Sequence, residues 1–243
     1  MTLTPSPEAN TGFKLRRHSK YWLEDGSLIL QTHDHLYKIH RTLLLRHSRR
    51  LATLHSPDAL DERTENLVEG IAVIRIPEQL EVRSADMEVL LEHLYHDVML
   101  DDAAPFGRLA ALLRVSSKQQ LDFPSIHALV RTRVEALFPA RPEAFLRSQH
   151  AEEALVLSVQ YDIPSIRKPL YYTVATHLHS HESPDPAPEQ ANPRLPPELA
   201  ARCDALLESL VAHFTPVLFT VATAGHMACT DVFAERWMPL VIQ

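Results

Sequence analysis

Glycine is scarce in this chain. Five occur among 243 residues (Gly12, Gly26, Gly70, Gly107 and Gly225), and no two lie close together. Phosphate-cradling loops, dinucleotide fingerprints and the G-x-S-x-G nucleophile elbow all need clustered glycines, so those motifs are excluded. Cysteine is scarcer still: Cys203 and Cys229 allow at most one disulfide and no cysteine-rich zinc site. No apolar run approaches the roughly 18 residues of a membrane-spanning helix. The opening MTLTPSPEANTGF lacks the apolar core of a signal peptide. The chain is therefore expected to be intracellular, in cytoplasm or nucleus, not secreted and without a membrane partner.

What is present belongs to a globular protein. Hydrophobic residues make up 45% and charged residues 23%, both near the averages of folded domains. Net charge is −7 but uneven. Residues 13–50 hold nine Lys and Arg against Glu24, Asp25 and Asp34, so that segment is six positive and the remainder thirteen negative. A basic stretch raises nucleic acid as a partner. The acidity of the whole weighs against it, and a solvated helix face is the simpler reading.

Along the chain, residues 1–17 read as a flexible arm. Tyr21-Trp22-Leu23, the Glu24-Asp25-Gly26 turn and Ser27 to Gln31 resemble the start of a two-stranded hairpin, or one bulged strand around a tight turn. Leu36 to Ile39 forms a short strand after a turn at His33-Asp34-His35. Thr42 to Leu54 is helical, and Ser48 interrupts it as the N-cap of a second helix would. Residues 55–69 read as a polar loop, and Ile71 to Ile76 as a β-branched strand ending at Pro77. Helical stripes follow: Met87, Leu90, Leu91, Leu94; Phe106, Leu109, Ala110, Leu113; Ile126, Leu129, Val130, Val134. Further helices are expected at 151–160 and 164–179, with a final amphipathic one carrying Leu199, Cys203, Leu206, Leu207, Leu210 and Phe214. Asp122-Phe123-Pro124-Ser125-Ile126 and Asp162-Ile163-Pro164-Ser165-Ile166 echo one another, and in each the Asp is positioned to cap a helix whose first turn holds Pro.

The ordered set Tyr37, His40, Arg41, Leu44 and Ser48, with Leu51 where a Phe is usual, resembles the core motif of the BTB/POZ family. The strand at 71–77 followed by Leu90-Leu91-Glu92-His93-Leu94-Tyr95 agrees with it. The opening Tyr21 to Ser27 and the stretch Leu112 to Lys118 are similar to BTB proteins abundant in mushroom-forming fungi, except that Gln119 replaces their usual Tyr. The resemblance covers residues 18–180. It implies an α+β fold: a BTB/POZ core at 18–119, a helical extension at 120–181, a proline-rich linker at 182–197 and a helical tail at 198–243 packing on the extension.

By the same resemblance the chain is a non-enzymatic protein-interaction module with protein partners. It is expected to homodimerise through residues 13–23 and 41–54, with Asp25 and Arg41 in a charged pocket. Leu43, Leu45, Arg46, Arg49 and Arg50 supply the candidate interaction surface. Two alternatives keep the fold and change the role: a substrate adaptor docking a cullin scaffold of a ubiquitin ligase, and a transcription-associated regulator. A metal-dependent enzyme is the remaining alternative. His177, His179 and His181 are its most metal-like spacing, although i and i+2 positions face apart on a helix. No catalytic residue, metal or cofactor is assigned. His40 stands at a strand-to-helix junction, where its ring is expected to cap backbone.

The linker ESPDPAPEQANPRLPP at 182–197 holds six prolines, each lacking the N–H that helix or sheet requires. The apolar stripe beyond it needs burial, since an isolated helix is marginal in water. Limited proteolysis is expected to cut first within 182–197, with the 198–243 fragment remaining bound to the rest. A fragment that dissociates cleanly from a soluble core would make the tail a detachable element.

Overall fold

A computed structural model describes residues 15–55, 67–101, 103–138, 150–178 and 195–219. The protein is α+β, with a five-stranded mixed sheet and eight helices among the described residues. The strands are β1 (Arg16–Trp22), β2 (Leu28–Gln31), β3 (His35–Ile39), β4 (Leu67–Val68) and β5 (Ile71–Arg75). The helices are α1 (Arg41–His47), α2 (Arg49–Leu54), α3 (Ser84–Leu94), α4 (Phe106–Ser116), α5 (Pro124–Leu137), α6 (Ala151–Gln160), α7 (Pro164–Leu178) and α8 (Pro197–Phe219). The chain divides into two compact units, residues 1–137 and 138–243. The helix at 124–137 thus belongs with the sheet-bearing unit.

Sheet order is β1-β3-β2-β5-β4. The central strand β2 is Leu28, Ile29 and Leu30, all fully buried, because both its faces are covered. It runs antiparallel to β3 and parallel to β5. The expected Tyr21–Gln31 hairpin does not form. β3 inserts between its two arms: β1 pairs with β3 in parallel, and β2 pairs with the other side of β3. The Asp25-Gly26 turn wraps the end of β3, with Leu23 N–H donating to Lys38 O and Ser27 N–H to Ile39 O. Gly26 is required there. A Cβ would lie 2.7 Å from Lys38 Cγ and 2.8 Å from its carbonyl carbon, closer than real contacts allow.

The loop expected at 55–69 ends earlier than the sequence implied, since Leu67 and Val68 form β4 and pair antiparallel with β5. Glu69 and Gly70 both have positive φ, 54° and 75°, the backbone that a tight two-residue hairpin turn needs.

Ser48 caps α2 as expected. Its Oγ accepts from Leu51 N–H at 2.9 Å and donates to Leu121 O at 2.5 Å. Arg49 N–H donates to Asp122 O at 3.0 Å, so the α1–α2 pair is clamped to the corner joining α4 to α5. That corner recurs in the second unit between α6 and α7. The two aspartates are not caps: each stands one residue before the N-cap, in the left-handed region, with φ of 53° at Asp122 and 52° at Asp162. The following Phe123 and Ile163 are fully buried, and Pro124 and Pro164 open the next helices. Asp tolerates left-handed backbone better than most residues, and the corner exploits this twice.

α4 is buried almost all round, from Phe106 to Ser116. It packs on α3 and α5. The α3–α4 contact contains a buried charge. The Asp86 carboxylate, 3% exposed, takes a fork from Arg114 (Nε at 3.0 Å, Nη2 at 3.0 Å) and another from Arg83 (Nε at 2.9 Å, Nη2 at 3.2 Å). Arg108 adds a second tie, Nη1 to Glu92 Oε2 at 2.6 Å.

In the second unit α6 packs on α7 and α7 on α8. Leu199 and Cys203 are buried, whereas Val211 and Phe214 are exposed. Residues 1–14, most of the linker and residues 220–243, including Cys229, lie outside the described residues, as do the side chains of His177, His179 and His181.

Breaking a buried ion pair by removing one partner costs about 3–5 kcal/mol. Asp86→Ala is expected to lose that much in urea unfolding. Arg83→Ala removes a partly exposed fork and is expected to lose much less. Equal losses would mean that burial of the carboxylate is not what sets the cost.

Candidate functional site

The residues singled out by the sequence separate into a buried set and an exposed set. Tyr37, Leu44, Ser48 and Leu51 are buried. They hold β3, α1 and α2 against the core and make no outward surface. Leu43, Leu45 and Leu54 are partly exposed on the same short helices. Arg41, Arg46, Arg49 and Arg50 are exposed. Arg50 Nη2 reaches back to Lys118 O at 3.2 Å, which places exposed Lys118 beside the same face.

Asp25 lies 3.1 Å from His40 Nε2 and is 80% exposed; its carboxylate is paired with His40 and not with Arg41. Arg41 N–H instead donates to Ser27 Oγ at 3.1 Å. His40 does not cap backbone with its ring. The Tyr95 hydroxyl does the capping: it accepts from His40 N–H at 3.0 Å and also meets His40 Nδ1 at 3.0 Å. A single assignment satisfies all three groups, with Tyr95 O–H donating to Nδ1 and Nε2–H donating to Asp25. The hydrogen bond from His40 holds the Asp25 carboxyl below its ordinary range, and burial pushes the Tyr95 hydroxyl up. Tyr95 was legible as a motif residue, but its role at the junction was not, because the two residues are 55 positions apart.

The Asp25–His40–Tyr95 line has the composition of an acid–base relay. Its geometry is that of a junction pin, since the hydroxyl is engaged by its neighbour's backbone. A cavity of about 440 Å³ lies elsewhere, lined by Thr32, Asp34, Ile76, Glu81, Arg83 and Ser84 among others. In it Ser84 Oγ donates to Asp34, whose other oxygen lies 3.0 Å from His35 Nδ1. The carboxylate sits between Ser84 and His35, so the His35 imidazole is not in place to take the Ser84 proton.

β1 is fastened by an aromatic column. The His18 ring stacks on Tyr37 at 5.0 Å and Tyr21 at 5.3 Å, and Tyr21 stacks on Tyr95 at 5.8 Å. A bulge in the β1–β3 pairing frees the N–H groups of Lys20 and Tyr21, and His18 Nδ1 accepts both, at 3.3 and 3.2 Å. Tyr21 donates to Asp97 Oδ2 at 2.8 Å, with Lys20 Nζ 3.1 Å from the same atom. Those hydrogen bonds lower the Asp97 carboxyl, and the bond to Asp97 raises Lys20.

Among the described residues no group of three or more His, Cys, Asp or Glu gathers to hold a metal ion, and no helix is long and apolar enough to cross a membrane. No model of a known protein family matches this chain, and no curated protein matches it.

Two outcomes follow. Removing the acceptor of a partly buried N–H costs about 1–3 kcal/mol, so Tyr95→Phe is expected to lower the urea midpoint while Asp25→Asn leaves it unchanged. Four histidines, His18, His55, His93 and His127, are held below their ordinary 6.5, chiefly by burial. The unfolded chain then binds protons more readily than the folded one just below that pH, and stability rises with pH through that window. Their contribution is complete above 6.5 and is lost as pH falls. Urea midpoints are expected to decline from neutral pH toward the acid side of this window; a flat profile would contradict the buried, neutral state of these rings.

Proposed function

We propose that this chain is a non-enzymatic protein-recognition module of BTB/POZ type, working through the α1–α2 face and associating with a second copy of itself. The observation that carries the reading is the division of the motif. Tyr37, Leu44, Ser48 and Leu51 are consumed by the core, and the same two short helices leave Leu43, Leu45 and Leu54 partly uncovered beside Arg41, Arg46, Arg49 and Arg50. Apolar side chains left half exposed between arginines are what a protein contact uses. The order of strands, helix pair, strand and helices supports the family reading. The second unit, helical in its described residues with α6, α7 and α8 packed in succession, supports an adaptor role in which the first unit docks a scaffold of the cullin class and the second takes a substrate.

Size-exclusion chromatography with light scattering tests the self-association. The expected mass at micromolar concentration is twice 27.5 kDa, and Leu43→Glu with Leu45→Glu is expected to halve it without loss of helical signal. A strictly monomeric wild type would overturn the homodimer. Absence of a cullin scaffold from a defined pairwise binding assay would remove the adaptor role and leave the module reading in place.

A further inference from the structure

We infer that the outward side of α1–α2 seats an acidic, leucine-bearing segment of a partner protein other than a second copy of this chain. The inference rests on the reading of α1–α2 as a recognition face and adds the chemistry of what that face takes.

Several arginines of the described residues are neutralised by carboxylates of the same chain. Arg17 pairs with Glu69, Arg83 and Arg114 with Asp86, Arg108 with Glu92, Arg131 with Glu135 and Arg167 with Asp162. Arg41, Arg46, Arg49 and Arg50 have no such pair among the described residues. All four are exposed, and among the described residues no carboxylate stands at ion-pair distance from any of them. Asp122 is joined to Arg49 through its backbone carbonyl and not through its carboxylate. In a chain with 31 acidic residues against 24 basic, these four exposed arginines, close in sequence, concentrate positive charge on two short helices.

The face is also held still. Ser48 Oγ to Leu121 O, Arg49 N–H to Asp122 O and Arg50 Nη2 to Lys118 O tie both helices to the α4–α5 corner. A preorganised set of donors loses less freedom on binding than one on a loop, and guanidiniums match carboxylates through two parallel hydrogen bonds.

Charge and apolar content choose the occupant. A symmetric contact brings two like-charged patches together, which favours an acidic partner over a twin for the outer arginines. The leucines can close on a twin; the outer arginines must face something else. A nucleic acid supplies negative charge, but Leu54 meets nothing apolar on a phosphate backbone, and a chain of net charge −7 repels a polyanion beyond the patch. An acidic protein segment satisfies both features.

The test uses the full chain and three labelled probes in fluorescence anisotropy: a Glu-Leu-Glu repeat peptide of about twelve residues, its Lys-for-Glu counterpart, and a single-stranded DNA of about twenty nucleotides. The Glu peptide is expected to bind and the Lys peptide not. Arg46→Glu with Arg49→Glu is expected to weaken the Glu peptide by about tenfold or more, and raising salt is expected to weaken the wild type in the same direction. Should the charge reversal unfold the chain, Arg46→Gln with Arg49→Gln reads the same loss. No binding of the Glu peptide, equal binding of the Lys peptide, tighter binding of the DNA, or an unchanged affinity in folded variants would each overturn the inference. Light scattering on the same samples separates the two readings. A dimeric wild type made monomeric by the arginine variant places these arginines in the self-contact and sinks this inference alone. A monomeric wild type that binds the Glu peptide sinks the homodimer alone.

Discussion

One buried carboxylate sets the frame of the sheet-bearing unit. Asp86 lies in the first turn of α3 and is almost fully enclosed. A charge there is tolerable because two guanidiniums saturate both its oxygens. Arg114 is the consequential one, since it comes from the far end of α4 and so fixes that end against α3. Three residues later the chain enters the corner at 117–123, which offers the Leu121 and Asp122 carbonyls to Ser48 and Arg49. The placement of α1–α2 is therefore a chain of dependencies that begins on a helix they do not adjoin in sequence.

This arrangement explains why polar side chains stand at the two junctions that frame α1. Ser48, His40 and Tyr95 serve backbone groups at two breaks in regular structure, one at the β3–α1 junction and one between α1 and α2. Unpaired backbone donors at such breaks are costly, so residues with hydroxyl or imidazole groups belong there. The side chains that α1–α2 leave outward are partly covered leucines and exposed arginines.

Much of this was legible in the sequence because it is local. The β2, β3 and β5 strands announce themselves as short apolar or β-branched runs, the helices by their 3.6-residue stripes, and Ser48 by its position at a break in one stripe. Three features were not legible. β1 was read as half of a hairpin because Glu24-Asp25-Gly26 is a turn signal; nothing local says that β3 will insert between the arms. β4 is two residues long, below any periodicity. The Asp-x-Pro echo was visible as a repeat, but its Asp was taken for a cap, since φ is not written in a sequence. For the candidate site, the arginines and leucines were found from composition and resemblance, whereas the Asp25–His40–Tyr95 pin required long-range contacts.

β1 has a consequence for how the chain can be shortened. It lies on the outer side of β3, held by parallel pairing, by the His18–Tyr37 stack and by Arg16 N–H to Asp34 O. A shortened chain starting after Trp22 would leave the hydrogen-bonding row of β3 open to solvent and bare the Tyr37 ring. An open edge of that kind templates strands from other chains. Such truncations are therefore a route to aggregation, and the basic residues at 16, 17 and 20 act as gatekeepers on the strand that seals this side of the sheet.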